Sequence, residues 1–307
     1  MTNVFIDGGH GTTGLEIAER LSGRQDITLL QLDDSRRKDV NARREALNDA
    51  DIVILCLPDD AARESVALIE NDRTRVIDAS TAHRTASGWL YGFPELVGRE
   101  TVATAKRVSN PGCYATGFIA LLAPLVQQGL LPADWPYVCN AVSGYSGGGK
   151  SMIAEFEDGP SPTAWRAYAL ALGHKHVPEM QAHCGLAYPP LFAPSVAATH
   201  RGMVVDIPLP LAAMPKPPSP AALEDALDAF YQGSPVVRLV RGFDDANLVI
   251  ERCANTDRLD LFVFARADGS QARLVAALDN LGKGAGGAAV QSLNLMSGAD
   301  EAAGLRL

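Results

Sequence analysis

The sequence predicts an α/β protein in two parts. The first is a doubly wound parallel sheet; the second is an α+β segment with a mixed or antiparallel sheet. Three observations carry this. Asn3–Asp7 reads as a short strand that runs through Gly8, Gly9, Gly11 and Gly14 into Leu15, Ile17, Ala18 and Leu21 at helical spacing. Asp51–Leu57 is a near-continuous apolar run, as expected of a parallel strand covered on both faces. From Tyr137 onward, strands follow one another across turns instead of alternating strictly with helices. With 307 residues, 47% of them hydrophobic, the chain has enough apolar material for two cores.

Taken in order, Asn3–Asp7 with its glycine turn and helix forms the strand–turn–helix context that a dinucleotide site needs. The glycines at 8, 11 and 14 make a GxxGxxG spacing, in which Gly8 turns the chain and Gly11 lets a pyrophosphate approach the helix N-terminus. Ile27–Leu32 reads as the second strand. Asp33 and Asp34 then run into Ser35-Arg36-Arg37-Lys38, which suits either a 2′-phosphate or a solvated charged loop. Pro58 ends the third strand, and Asp59-Asp60 is expected to cap the next helix. Arg75–Ser80 is a further strand, opening into a loop with Thr81, His83 and Arg84 at the carboxyl end, where such sheets hold ligands.

Cys113 follows Asn110-Pro111-Gly112 and opens an apolar run, Phe118 to Val126, long enough for a buried helix. A thiol at a helix N-terminus is biased toward the nucleophilic thiolate, although a buried structural cysteine is the plainer reading of a lone Cys. Tyr137–Val142 is a strand followed by Ser143 to Ser151, which matches GxxxxGK[ST] from Gly144. Three readings compete: a nucleoside-triphosphate loop with Met203–Asp206 as its acidic strand, an anion loop carrying Lys150, and a mobile turn. Pro160 and Pro162 leave only a short helix behind the loop, which fits the first poorly. Gly173-His174-Lys175-His176-Val177-Pro178-Glu179 offers a general acid/base near neutrality. His183 and Cys184 follow it, without a compelling metal-ligand spacing, so no metal is expected.

Val196–Ala198, Met203–Pro208, Val236–Val240, Leu248–Ala254 and Leu259–Ala265 read as strands, with a helix at Ala221–Phe230 and a rigid link at Pro215–Pro220. Ala276–Ala289 reads as the start of a small-residue helix ending near Met296 that returns to the first domain. The domains so expected are 1–112, completed by a C-terminal helix within 281–307, and 113–280.

Lys and Arg total 27 against 36 Asp and Glu, a net charge of −9, which argues against nucleic acid and anionic membranes as partners. Five scattered cysteines without CxxC spacing indicate neither a disulfide framework nor a zinc ribbon. No apolar run reaches membrane-spanning length and no signal peptide opens the chain, so a cytoplasmic protein is expected.

Taken together, these motifs resemble the N-acetyl-gamma-glutamyl-phosphate reductase family in its shorter form, over nearly the whole chain. The resemblance rests on the glycine turn, Val76–Ser80, Tyr91–Leu96, Ser109–Thr116, Ser143–Lys150, His174–Glu179, and Asp279-Asn280-Leu281 with Lys283-Gly284. It implies a Rossmann-type NADP(H) domain and a catalytic and dimerisation domain. It also implies an acyl phosphate as substrate and a homo-oligomer, dimer or tetramer. Cys113 would form a thioacyl enzyme, His176 or His174 would assist, and NADPH would supply hydride in arginine biosynthesis. The cofactor-binding candidates are Gly8, Gly11, Thr12, Thr13, Gly14, Ser35, Arg36, Arg37, Cys56, Leu57, Ser80 and Asn280. The substrate candidates are Arg84, Asn110, Ser143, Gly144, Lys150 and Glu179. The rival readings are an aspartate-semialdehyde-dehydrogenase-like enzyme, an aminoadipyl-phosphate reductase, a P-loop kinase and a non-enzymatic NADP sensor. The segment Asp33–Lys38 departs from the longer reductases, which leaves the 2′-phosphate contacts open.

Overall fold

The computed structural model describes residues 1–33 and 35–307; Asp34 lies outside the described residues. The chain divides into two units, Met1–Gly112 with Ala285–Leu305, and Cys113–Gly284 with Arg306–Leu307.

In the first unit, β1 (Thr2–Asp7), β2 (Ile27–Leu30), β3 (Ile52–Leu55), β4 (Arg75–Asp78), β5 (Leu90–Tyr91) and β6 (Arg107–Ser109) form one sheet in the order β2-β1-β3-β4-β6-β5. Every pairing in it is parallel. Alternate residues of the strands serve opposite faces. Val4, Ile52 and Ile54 pack with Ile17 and Leu21 of the Thr12–Leu21 helix, whereas Phe5, Val53 and Leu55 pack with Ala46 and Leu47 of the Val40–Asp49 helix. Burial on both faces is why β3 is apolar at every position.

The chain closes this unit with its last helix, Gly287–Ser297, whose Ala289, Val290, Leu293 and Met296 join the core of Val4 and Ile54. Arg75 secures the end of that helix, donating to the Met296 carbonyl at 2.6 Å and to the Ala103 and Ala105 carbonyls. A guanidinium satisfies terminal carbonyls that have no partner within the helix.

The second unit is built on a seven-stranded mixed sheet. Its strands are β7 (Val138–Gly144), β8 (Trp165–Ala167), β9 (Leu191–Ala197), β10 (Met203–Leu209), β11 (Val237–Leu239), β12 (Leu259–Ala265) and β13 (Ala272–Leu278), in the order β11-β12-β13-β10-β7-β9-β8. The Cys113–Gln127 helix lies on one face, against β10 and β13, with the helices Val177–Cys184 and Pro220–Tyr231 beside it.

Three sequence expectations are corrected here. Leu248–Ala254 is a run of turns, its Cys253 plugged under Phe262 and Val275. Ala276–Leu278 belong to β13, and the helix begins only at Gly287, after a π-helical turn at Gly282–Gly286. Pro58, not an aspartate, is the N-cap of the Asp59–Ala67 helix; the Asp59 carboxylate instead accepts from the Thr81 backbone N–H and hydroxyl.

Leu293 is fully buried in the first unit's core, so Leu293→Ala is expected to cost ~2–5 kcal/mol. Hydrogen exchange should quicken across β1, β3 and β4 and hold its rate across β7, β10 and β13. Unchanged exchange in β1, β3 and β4 would mean that the last helix does not support this sheet.

Candidate active site

In the first unit, the strand order reverses between β1 and β3, and a cleft of about 810 Å³ opens there at the carboxyl ends of the strands. Asp7, Gly8, Gly9 and Gly11 line it from β1, and Cys56 and Leu57 from the end of β3. Gly8 has φ +86, and a Cβ there would collide with the Cys56 carbonyl oxygen, so only glycine takes this turn. No side chain caps the Thr12–Leu21 helix, whose N-cap residue is Gly11 and whose first turn holds Thr12, Thr13 and Gly14. Its first N–H groups therefore suit an anion. A crevice at the switch point, a glycine turn and an uncapped helix end fit a dinucleotide.

The charged loop divides between inside and outside. Arg37 and Lys38 line the cleft, together with Arg43. Arg43 is held by the buried Asp7 carboxylate at 2.9 Å, and donates to the Ser65 hydroxyl at 2.6 Å. Ser35 and Arg36 do not line it: the Ser35 hydroxyl donates to Asp33, and the Arg36 guanidinium pairs with Glu45 at 3.1 Å. Ser80 is turned inward, its hydroxyl donating to the buried Asp78, which also meets His83 at 2.6 Å. Arg84 donates to the Asn110 carbonyl at 3.0 Å, and the Asn110 amide donates to the Ala285 carbonyl. Both residues belong to the first unit.

The second unit begins with Cys113 as the first residue of its helix, half-buried, with Tyr114 to Leu125 buried behind it. Gly284 comes so close that a Cβ there would stand 2.9 Å from the Cys113 Cβ. Burial pushes the Cys56 thiol up to about 12 and the Cys253 thiol up to about 11, and raises Cys139 and Cys184 as well, so these four stay protonated at neutral pH.

Beside Cys113, the Tyr114 ring stands 5.8 Å from the ring of His176 and 6.1 Å from that of His174. His176 is buried at the start of the Val177–Cys184 helix, and buried Glu179 lies one turn on. The His176 backbone N–H donates to His174 Nδ1 at 3.2 Å, so neutral His174 carries its proton on Nε2. Asn280 is fixed by two bonds: Oδ1 accepts from the Gly202 N–H and Nδ2 donates to the Ser146 hydroxyl. The Ser143 hydroxyl donates to the Gly144 carbonyl, and Lys150 is exposed on the Gly149–Glu157 helix. Asp206, the acidic residue of the triphosphate-loop reading, lies opposite Asn140 on an antiparallel strand and pairs with Arg273 at 2.8 Å. It stands away from the glycine loop, which removes the support for that reading. Among the described residues, no three His, Cys, Asp or Glu groups gather as a metal site, and no helix is long and apolar enough to cross a membrane.

A family model described as "Semialdehyde dehydrogenase, NAD binding domain" matches residues 3–105, and "Semialdehyde dehydrogenase, dimerisation domain" matches residues 113–280. An N-acetyl-gamma-glutamyl-phosphate reductase of Trichormus variabilis is 50% identical over 318 residues, covering 98% of both chains. The N-acetyl-gamma-glutamyl-phosphate reductase 2 of Pseudomonas putida is 51% identical over 308 residues, again covering 98% of both. The chain belongs to the N-acetyl-gamma-glutamyl-phosphate reductase family. Its fold is shared with aspartate semialdehyde dehydrogenase II of Vibrio cholerae, at a TM-score of 0.71 and 18% identity over 96% of this chain and 98% of that one.

Within this reductase family member, sequence reasoning passed over Arg43 and Ser146. Both acquire meaning only through partners far along the chain, Asp7 and Asn280.

The division of the basic loop sets an expected outcome for cofactor choice. Arg37→Ala with Lys38→Ala should weaken binding of the 2′-phosphorylated dinucleotide ~10-fold or more and leave the 2′-hydroxyl form within ~2-fold, since charge-assisted contacts are lost only for the former. Arg36→Ala should change neither. Calorimetric titration with NADP and NAD reads this, and equal losses for both cofactors would make the loop a solvated one.

Proposed function

We propose that this protein reduces N-acetyl-gamma-glutamyl phosphate to N-acetyl-L-glutamate 5-semialdehyde with release of phosphate, using NADP(H), in the cytoplasm and within arginine biosynthesis. The observation that carries the reading is the gathering, in one unit, of a half-buried thiol on a helix N-terminus and a histidine pair packed on the adjacent Tyr114. Two titratable partners of different kinds suit covalent acyl transfer followed by proton transfer.

The Cys113 thiolate attacks the acyl carbonyl, the carbon–oxygen bond to phosphate breaks, and a thioester remains on Sγ. Backbone N–H groups of the helix's first turn stabilise the oxyanion of the tetrahedral intermediate. Lys150 is the cation assigned to the departing phosphate, with Ser143, Gly144 and Glu179 around the substrate. NADP(H), held by Gly8, Gly11, Arg37 and Lys38, supplies the hydride when bound. His176 holds a proton at the former carbonyl oxygen, then removes it as the aldehyde forms and the Cys113 thiolate departs. His176 is favoured over His174 because it is buried and begins a helix, which limits its ring.

Cys113→Ala should abolish turnover and leave NADP binding intact, since the cleft lies in the first unit. His176→Asn should slow turnover by ~10²–10⁴, the usual worth of a general acid/base. Mass spectrometry of acid-quenched enzyme with acyl phosphate and no NADPH should find an adduct on the Cys113 peptide. An adduct elsewhere, or turnover in Cys113→Ala, would end this reading.

We also infer that the face of the second sheet away from the Cys113 helix receives a second copy of the chain. It carries exposed Trp165, Leu170 and Leu172 around a groove of about 540 Å³, Leu191 is exposed on the neighbouring β9, and the matching family model is described as a dimerisation domain. Leu170→Asp with Leu191→Asp should shift sedimentation toward the monomer; an unchanged profile would put the contact elsewhere.

A further inference from the structure

Residues 199–202, between β9 and β10, carry none of the motifs that mark the site, yet they hold three of its pieces, all in the second unit. They hold the glycine loop by backbone. The Tyr145 N–H donates to the Thr199 carbonyl at 2.9 Å, the Ser146 N–H to the His200 carbonyl at 3.1 Å, and the Gly144 N–H to the Gly202 carbonyl at 2.9 Å. The approach is so close that a Cβ on Gly144 would stand 2.7 Å from the Arg201 Cα. They hold Asn280, whose Oδ1 accepts from the Gly202 N–H at 3.0 Å. They hold Asp279 through the Arg201 side chain, whose Nε lies 2.9 Å from Asp279 Oδ2.

Asp279 is fully buried, and the Arg201 side chain is only 11% exposed. Burial raises the Asp279 carboxyl above its ordinary range, and the guanidinium opposes that rise. The pair is closed into a ring by a third residue. Arg201 Nη1 donates to Asn255 Oδ1 at 3.0 Å, and the Asn255 backbone N–H donates to Asp279 Oδ2 at 2.5 Å. Asp279 in turn shapes the chain that follows it. Its Oδ1 accepts from the Leu281 N–H at 2.8 Å, and its backbone carbonyl accepts from the Gly282 N–H at 3.1 Å and the Gly284 N–H at 3.0 Å. Gly284 is thereby pressed between two neighbours: a Cβ there would stand 2.9 Å from the Asp279 carbonyl oxygen and 2.9 Å from the Cys113 Cβ.

We propose that Arg201 is a positioning residue: its ion pair with buried Asp279, closed through Asn255, fixes the turn that lays Gly284 against Cys113 and keeps it in step with Asn280 and the glycine loop. This rests on the reductase reading for what the thiol does.

Arg201→Met keeps the bulk and removes the charge and its two contacts, while the backbone bonds to the glycine loop remain. It should lower kcat ~10-fold or more with KM for the acyl phosphate within ~2-fold, since small displacements at a reacting centre are costly and the glycine loop is still held. Alkylation of the Cys113 peptide by iodoacetamide, measured without substrate, should quicken ~3-fold or more as Gly284 leaves the thiol. Cys139 and Cys184, buried in the same unit, should stay unlabelled. Asp279→Asn breaks the pair from its other end and should give the same changes. The double variant should be little worse than either single one, since coupled groups are not additive. Wild-type kcat and labelling in Arg201→Met would overturn the clamp. So would labelling that spreads to Cys139 and Cys184, which marks general loosening, or additive losses in the double variant. If Arg201→Met does not fold, Asp279→Asn decides by the same readouts. If the wild-type enzyme does not reduce the acyl phosphate, the reductase reading falls, and the labelling of the single and double variants still reports on the clamp.

Discussion

The second unit depends on the burial of one helix. From Tyr114 to Leu125 every residue of the Cys113–Gln127 helix is buried, and the helix rests on β10 and β13 with two helices alongside. Interiors packed at this density do not slide by fractions of an ångström. The thiol at the first residue therefore takes its position from the packed body of the helix behind it. Gly284 completes the constraint from the other side by bringing backbone to the Cys113 Cβ. A reactive sulfur needs access as well as aim, and here the body of the helix is packed while its first residue, Cys113, is only half-buried.

The chemistry is divided between units in the same manner. The groups suited to a dinucleotide rest on a fully parallel sheet whose strand order reverses at the cleft, and the thiol and histidines rest on a mixed sheet. Each group is fixed by the core of its own unit. In the first unit, Asp7 shows the cost of that precision. It is a buried carboxylate held by Arg43 and the Ser65 hydroxyl, and removing either would leave buried polar groups short of a partner.

Much of this could be read from residue order. β1, its glycine turn and the helix behind it follow local rules, and the apolar run at β3 reports coverage on both faces. Cys113 and the histidine pair are legible because each sits beside a helix boundary marked by proline or glycine. The errors came where tertiary burial overrides local preference. Ala276 and Ala277 favour a helix in isolation, yet they lie in β13 between β12 and β10, where cross-strand contact decides. Leu248–Ala254 has the apolar content of a strand, yet its role is to plug the side of Phe262 with Cys253. A run of charges does not tell which cation turns inward: Arg36 pairs outside the cleft with Glu45, nine residues on, in the helix that follows the motif.

The composition of the first unit bears on how the chain is born. Its sheet is encoded in the opening residues, yet Ala289, Val290, Leu293 and Met296 of its core come from the final helix. During synthesis the six parallel strands emerge with one face only partly covered, by Ile17, Leu21 and Val102, until the last helix follows. Residues Cys113–Gly284 meanwhile carry nearly everything their own unit needs. Domains ordinarily fold in the order in which they are translated; here the later-made unit can close first. The nascent nucleotide sheet is then the exposed species, and a truncation near the C-terminus injures the part of the protein that was made first.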